Sequence, residues 1–303
     1  MDKEDTLKKA RISIAALVAV FALVVASCAD EDGGGTGATG ETPATGATGA
    51  TATGATGETG FPAFTTLEEG VLQAANCLDY PPFESVVDGD EVGFDIDLVE
   101  AIAERLGLTV EWIRADFDTV FTAVAGDQFD VVAAAATITA EREEVVDFSD
   151  PYYNSLQAMT VNTTETPDIT SYEQLGPGDT VAVQKGTTGK LFAEENIVPL
   201  GAELVTFQLN SDMFRELEGG GVTALVTDAP ASLEIVKDLP ALAVVQQIDT
   251  QEQYGFAFSP SNPELREAMN LALAQLIADG TYAEIFGTYF PIEGLPPEYA
   301  PTA

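Results

Sequence analysis

An α/β fold in two lobes follows from three features of the sequence. From Thr65 onward, strand-like runs alternate with helix-like runs, the pattern of largely parallel sheets flanked by helices. The pattern runs once before Tyr153 and again after it. This stretch is rich in Val, Leu, Ile, Ala and Phe and is long enough to fill two small cores.

The first set opens with Val71 to Ala75, an apolar strand leading into a Tyr80-Pro81-Pro82-Phe83 turn. Ile96, Leu98, Val99, Ile102, Ala103 and Leu106 recur at helical spacing and stop at Gly107. Val110 to Ile113 reads as a strand, Thr119 to Ala125 as a helix and Val131 to Ala135 as a strand buried on both faces. The second set has a strand at Val181 to Val183 running into Lys185-Gly186-Thr187-Thr188-Gly189, where a helix starts. Leu204 to Phe207 is a strand, Asp212 to Leu217 a helix closed by Gly219, Gly220 and Gly221, and Ala224 to Thr227 a strand ending at Asp228. Gly255 to Phe258 is a strand, and Asn262 caps a helix over Pro263 to Ala278 that Gly280 ends.

The N-terminus has a different character. Lys3, Lys8, Lys9 and Arg11 precede an apolar run of 15 residues from Ile12 to Ala26, then Ser27 and Cys28. This is the layout of a signal peptide, and the run is shorter than the roughly 20 residues of a membrane span. Val25-Ala26-Ser27-Cys28 resembles a bacterial lipobox, which implies cleavage after residue 27 and lipidation of Cys28; an uncleaved anchor is the alternative. Ala29 to Gly60 is almost wholly Gly, Ala, Thr and acidic residues, so residues 28–64 are expected to form a disordered tether reaching about 30 Å. With Cys28 taken by lipid, Cys77 has no intramolecular partner.

Twelve Lys and Arg face 50 Asp and Glu, a formal net charge of −38, which disfavours nucleic acid and anionic membrane surfaces as partners. The chain contains no histidine, which removes Ser-His-Asp triads and His metal sites. It carries neither a Walker loop nor a dinucleotide fingerprint, and no cofactor is expected.

Ligands of α/β sheets bind beyond the carboxyl ends of strands. Four spots fall there: Tyr80 to Phe83, Phe117, Thr137 to Arg142, and Asp228 with the Gly186 to Gly189 turn. Read alone, Arg142 among Glu141, Glu143 and Glu144 is a surface ion pair of little weight, and Asp228 is an N-cap for the helix from Ala229. Tyr80 and Phe117, likewise, are core aromatics on that reading. Together the four spots suggest a cleft.

The motifs Tyr80-Pro81-Pro82-Phe83, Gly93-Phe94-Asp95-Ile96-Asp97-Leu98, Asp116-Phe117-Asp118, Thr137-Ile138-Thr139 with Arg142, Asp147-Phe148-Ser149, Pro151-Tyr152-Tyr153, Gly186-Thr187-Thr188 and Ala278-Asp279-Gly280-Thr281 carry a more specific signal. From about Thr66 to Phe290 the chain resembles the extracytoplasmic amino-acid-binding proteins of bacterial ABC importers, solute-binding protein family three. The resemblance implies a two-lobed, type II periplasmic-binding-protein-like fold with two hinge crossings near Tyr153 and Tyr254 and a ligand cleft between the lobes. Lobe 1 would hold residues 66–156 and 254–303, lobe 2 residues 157–253. It also implies a monomeric receptor held to the membrane by its lipid alone, delivering a free α-amino acid to an ABC permease.

Residue by residue, the resemblance puts the ligand's α-carboxylate on Arg142 and the backbone N–H of Thr188. Its α-ammonium would meet Asp228, the Thr137 hydroxyl and the Ala135 carbonyl, and Tyr80 and Phe117 would sandwich its side chain. Cys77 stands where binders of cationic amino acids and glutamine carry an aspartate. Asp79 or Glu84 could substitute, and Gln184 and Thr227 are further side-chain contacts. Without that aspartate, and with Lys185 the only nearby cation, a small polar or apolar amino acid is favoured. Two other functions fit the same fold: a dehydratase acting on arogenate or prephenate, and a ligand-sensing lipoprotein without a permease.

Overall fold

The computed structural model describes residues 60–291 and 293–302. The expected signal peptide, Cys28 and most of the tether lie outside the described residues. Phe61 and Phe64, at the end of the expected tether, are partly buried against the first core, because an aromatic ring next to apolar surface gains by covering it.

Strand β1 (Val71–Asn76) alternates its side chains between two cores, Leu72 and Ala74 to one face and Ala75 to the other. A small hairpin, β2 (Ser85–Val87) and β3 (Asp90–Val92), leads into α1 (Phe94–Leu106). Gly93 makes this entry possible: at φ 154° a Cβ there would lie 2.0 Å from the Phe83 carbonyl oxygen. The contact is that close because the first amides of α1 bond back to the turn, Phe94 N–H to Pro82 O at 2.9 Å and Asp95 N–H to Phe83 O at 3.0 Å. Then come β4 (Thr109–Arg114), α2 (Phe117–Ala125), β5 (Val131–Val132), the one-turn α3 (Ala140–Glu143) and β6 (Asp147–Phe148).

The second lobe holds β7 (Tyr153–Asn162), β8 (Thr180–Gln184), α4 (Thr188–Asn196), β9 (Glu203–Phe207), α5 (Asn210–Glu218), β10 (Ala224–Asp228), α6 (Ala229–Ile235) and β11 (Leu242–Tyr254). The chain returns through β12 (Ala257–Phe258), α7 (Pro263–Asp279) and α8 (Thr281–Tyr289). The sheets run β4-β1-β5-β12-β6 and β9-β8-β10-β7-β11, so both lobes repeat one topology. In each, three parallel strands with the first at their centre are followed by a strand that has crossed from the other lobe. That crossing strand and its outer neighbour are antiparallel, so the expectation of largely parallel sheets holds for only half of each.

Each sheet is a filling between helices. One face of the first packs α1, α7 and α8 through Leu98, Ile102, Leu273 and Phe286; the other packs α2 through Val120 and Val124. The second is covered by α4 through Ala193 and by α5 through Met213, Phe214 and Leu217. The crossing strands pair Tyr153 with Tyr254 at the hinge.

The expected strand from Val131 to Ala135 is cut short after Val132. Ala133 to Ala136 remain buried but leave the ladder, and Ala135 takes a left-handed φ of 45°. A buried alanine run satisfies strand and loop patterns equally, which hid the turn from a reading by periodicity.

Candidate ligand-binding site

One cleft cavity lies between the lobes. It is lined from the first by Cys77, Asp79, Tyr80, Glu84, Phe117, Ala134, Ala135, Thr137 and Arg142, and from the second by Gln184, Thr187, Thr188, Thr227 and Asp228. Every ligand residue expected from the sequence lines it. Cys28, the expected lipidation site, lies outside the described residues.

Arg142 is set by a short cap. Thr139 Oγ1 accepts the Arg142 N–H at 3.2 Å and opens α3, so the side chain turns inward rather than toward Glu141, Glu143 or Glu144. Its Nη1 donates to Thr137 O at 2.6 Å and its Nη2 to Gly186 O at 3.1 Å. The guanidinium also lies over Phe117 and Phe121, 5.2 and 4.5 Å from their ring centres. Among the described residues it has no ion-pair partner, which sets aside the surface-bridge alternative. Burial holds its pKa down to about 10, while Asp228 and Glu252 pull the other way. A cation so placed gains strongly from an incoming carboxylate.

Across the cavity, Asp228 ends β10 and is 7% exposed. Its carboxylate accepts from Gln157 Nε2 and from the Tyr254 hydroxyl; Asp228 does stand at the N-cap position of α6, as one sequence reading had it, but its side chain makes no capping bond there. Burial, then the neighbouring Glu252, pushes its pKa up to about 7. Thr188 is the first residue of α4, and its N–H belongs to the unpaired donors of a helix N-terminus, which suit an anion. Ala135 is held in its left-handed turn by Asp95, whose Oδ2 accepts the Ala135 N–H and the Tyr152 hydroxyl, both at 2.8 Å. Asp95 is thus structural and completely buried.

The far end is lined differently. Glu84 Oε1 accepts the Cys77 N–H at 3.2 Å, but its Oε2 is buried without a partner. Burial, then the nearby Asp95, holds the Glu84 carboxyl well above the usual range, and burial likewise raises the Cys77 thiol. Asp79 Oδ2 accepts Ser211 N–H at 3.1 Å, Gln184 Nε2 donates to Gln208 O at 3.0 Å, and the Tyr80 hydroxyl meets Thr227 Oγ1 at 3.1 Å.

Several of these bonds cross between lobes. At the rim, Asp118 accepts from Lys185 Nζ and from Gln208 Nε2, each at 2.7 Å. Gly186 makes that approach possible, because a Cβ on it would stand 2.9 Å from Asp118 Cα. The lobes are closed on one another.

Residues 72–292 match the bacterial extracellular solute-binding proteins, family 3. The chain belongs to this family. Other members include ABC transporter arginine-binding protein 1 of Escherichia coli, 30% identical over 218 residues that cover 70% of this chain and 87% of that protein. The histidine-binding periplasmic protein of Salmonella typhimurium is 29% identical over 225 residues, 71% and 85% of the two chains. Among solved structures, an ancestral arginine-binding protein bound to arginine is 39% identical, with a TM-score of 0.70 over 73% of this chain and 98% of its own. An ancestral amino acid-binding protein described as a precursor of cyclohexadienyl dehydratase is 38% identical, with a TM-score of 0.68 over 73% and 96%. Each of these relatives is named as a binding protein, and the last also as the precursor of a dehydratase. Family 3 membership makes this chain an extracytoplasmic receptor with the bilobed type II fold. No group of Asp, Glu and Cys among the described residues could hold a metal ion.

Sequence reasoning missed Glu252 and Gln157, which lie behind the cavity wall and bond Thr137, Thr188 and Asp228. An acid in the last crossing strand, two residues before Tyr254, was the available signal.

Proposed function

We propose that the protein captures a free α-amino acid by closing its lobes on it and presents the closed form to an ABC permease, with a cationic amino acid of the arginine class as preferred ligand. The observation that carries this reading is the split site: a half-buried guanidinium that has no counter-ion among the described residues at one wall, and a buried carboxylate at the other. A zwitterion joins them, its carboxylate on Arg142 and the Thr188 N–H, its ammonium on Asp228, Thr137 Oγ1 and Ala135 O. Because those partners come from both lobes, the ligand favours the closed population.

The preference for a small side chain, drawn from Cys77, gives way to Glu84. Its buried, unpartnered Oε2, with Asp79 beside it, seeks donors, and a guanidinium supplies them in a fork. Tyr80 and Phe117 offer faces to the stem. Arginine and histidine, for which relatives are named, fit that demand. We further propose that lipidated Cys28 tethers the receptor, as a monomer, outside the cytoplasmic membrane.

A thermal-shift screen over the twenty amino acids is the test, since a ligand selective for the folded state raises Tm by mass action. L-Arginine is expected to give the largest rise. No shift with any amino acid would end the reading, and a largest shift with alanine or serine would end the cationic preference alone.

A further inference from the structure

The carboxylate of Glu252 is 8% exposed and accepts four hydrogen bonds. Thr137 Oγ1 donates to its Oε2 at 2.7 Å and Thr188 Oγ1 at 2.9 Å; Gln157 Nε2 and Thr250 Oγ1 donate to its Oε1, each at 2.9 Å. Thr137 belongs to the first lobe and Thr188 to the second, so one side chain at the hinge touches the ligand loops of both.

The backbone is shaped to put it there. Along β11 the pairing with β7 goes from Ile248↔Gln157 to Glu252↔Ser155, four steps against two. The extra residues form a bulge with Gln251 at φ 57°, held by a 3.0 Å bond from the Gln251 N–H to Asp249 Oδ1. A left-handed glutamine costs free energy and is kept where surrounding structure demands it.

The consequence lies in where protons point. A threonine hydroxyl has one proton and two lone pairs, and a carboxylate has no proton to give. With its proton committed to Glu252, the Thr137 hydroxyl turns only lone pairs to the cavity. It can then accept from an ammonium but offers nothing to a second acceptor. The Thr188 hydroxyl is committed the same way, leaving its backbone N–H as the donor on that side.

We infer that Glu252 is a positioning residue that fixes the donor direction of the Thr137 and Thr188 hydroxyls, and so makes this end of the cleft selective for an α-ammonium. The inference rests on the amino-acid receptor reading. Glutamine at 252 would keep the shape but could donate to either hydroxyl and reverse it.

The test titrates the full-length protein with L-arginine and with 5-guanidinopentanoate, the same molecule without its α-ammonium. Glu252→Gln is expected to weaken L-arginine by about tenfold or more while leaving 5-guanidinopentanoate unchanged or tighter. Equal weakening of both, or of neither, overturns the inference. If wild type binds no amino acid, the receptor reading itself has failed, and that titration stands apart from the comparison of variants. Should Glu252→Gln not fold, Thr137→Ser and Thr137→Val answer instead. Serine, which still donates to Glu252, retains the preference for L-arginine; valine loses it for L-arginine alone, and loss for both ligands overturns the inference.

Discussion

At one end of the cleft, Arg142, Asp228, Thr137 and Thr188 are locked by bonds to neighbours: Thr137 O, Gln157, Tyr254 and Glu252 each fix a ligand-facing atom. At the other end, Glu84 keeps a buried oxygen without a partner, and Cys77 and Gln184 present small or neutral groups. On the proposed pose, the first end is pre-organised for a feature every α-amino acid shares. The second is left incomplete, and whichever side chain completes it decides the ligand. Affinity for the class and choice within the class are thus carried by separate atoms, and variants should separate them.

Arg142→Ala strikes the shared end hardest. Removing a bidentate, charge-assisted pair is expected to weaken every amino acid by at least about a hundredfold, read by isothermal titration. Tm without ligand should hold or rise, because the substitution also removes a half-buried cation that has no counter-ion.

The pH dependence sharpens the same end. Burial pushes the Asp228 carboxyl up to about 7, and on the proposed pose it must be ionised to hold an ammonium, so binding should expel a proton. Affinity should therefore rise by about tenfold per unit as pH climbs from 5 toward 7, then level off. For folding the sign is opposite. An aspartate whose folded pKa is raised takes up protons in the native state, so its contribution to stability is present below about 7 and is lost as pH rises from about 4 through that value. The chain has no histidine, so a transition near 7 points to a buried carboxyl. The titration should be flat for a ligand lacking the α-ammonium.

Why one end was readable in the sequence and the other was not follows from the same division. Arg142 and Thr188 follow turns with their own signatures, Thr-x-Thr and Gly-Thr-Thr, and Asp228 ends an apolar strand, so local pattern placed them. The repeated αβ grammar of the two lobes was legible for the same reason. Glu252 was not, because its part depends on a bulge and on Thr137, more than a hundred residues away in the chain. Glu84 was legible as a possible substitute for the missing aspartate, but its free oxygen was not, being a matter of what packs around it. The left-handed turn at Ala135, inside an all-alanine run, had no local sign at all.

Glu84→Gln probes the incomplete end. It keeps the shape and removes the carboxyl that an arginine guanidinium would ionise and pair with, so L-arginine should weaken by about tenfold while L-glutamine changes little. An equal loss for both ligands would mean that Glu84 acts through the fold rather than on the ligand side chain.

The smallest effect is expected at the rim, where neither end of the ligand reaches. Lys185 is exposed, and its 2.7 Å bridge to Asp118 spans the lobes in the closed form. The Lys185 and Gln208 bonds both pull Asp118 below the usual carboxylate range, which marks a favourable contact, yet a rim pair with one partner in solvent is weak and salt-screened. Asp118→Asn should therefore speed ligand release by no more than about fivefold, measured by stopped flow, with little change in association. In molar salt the difference from wild type should vanish, since screening has already removed what the mutation removes. A difference that survived high salt would move the latch from the ion pair to the fit of Gly186 against Asp118, where a Cβ has no room. Closure would then be governed by shape at the rim as well as by charge at the shared end.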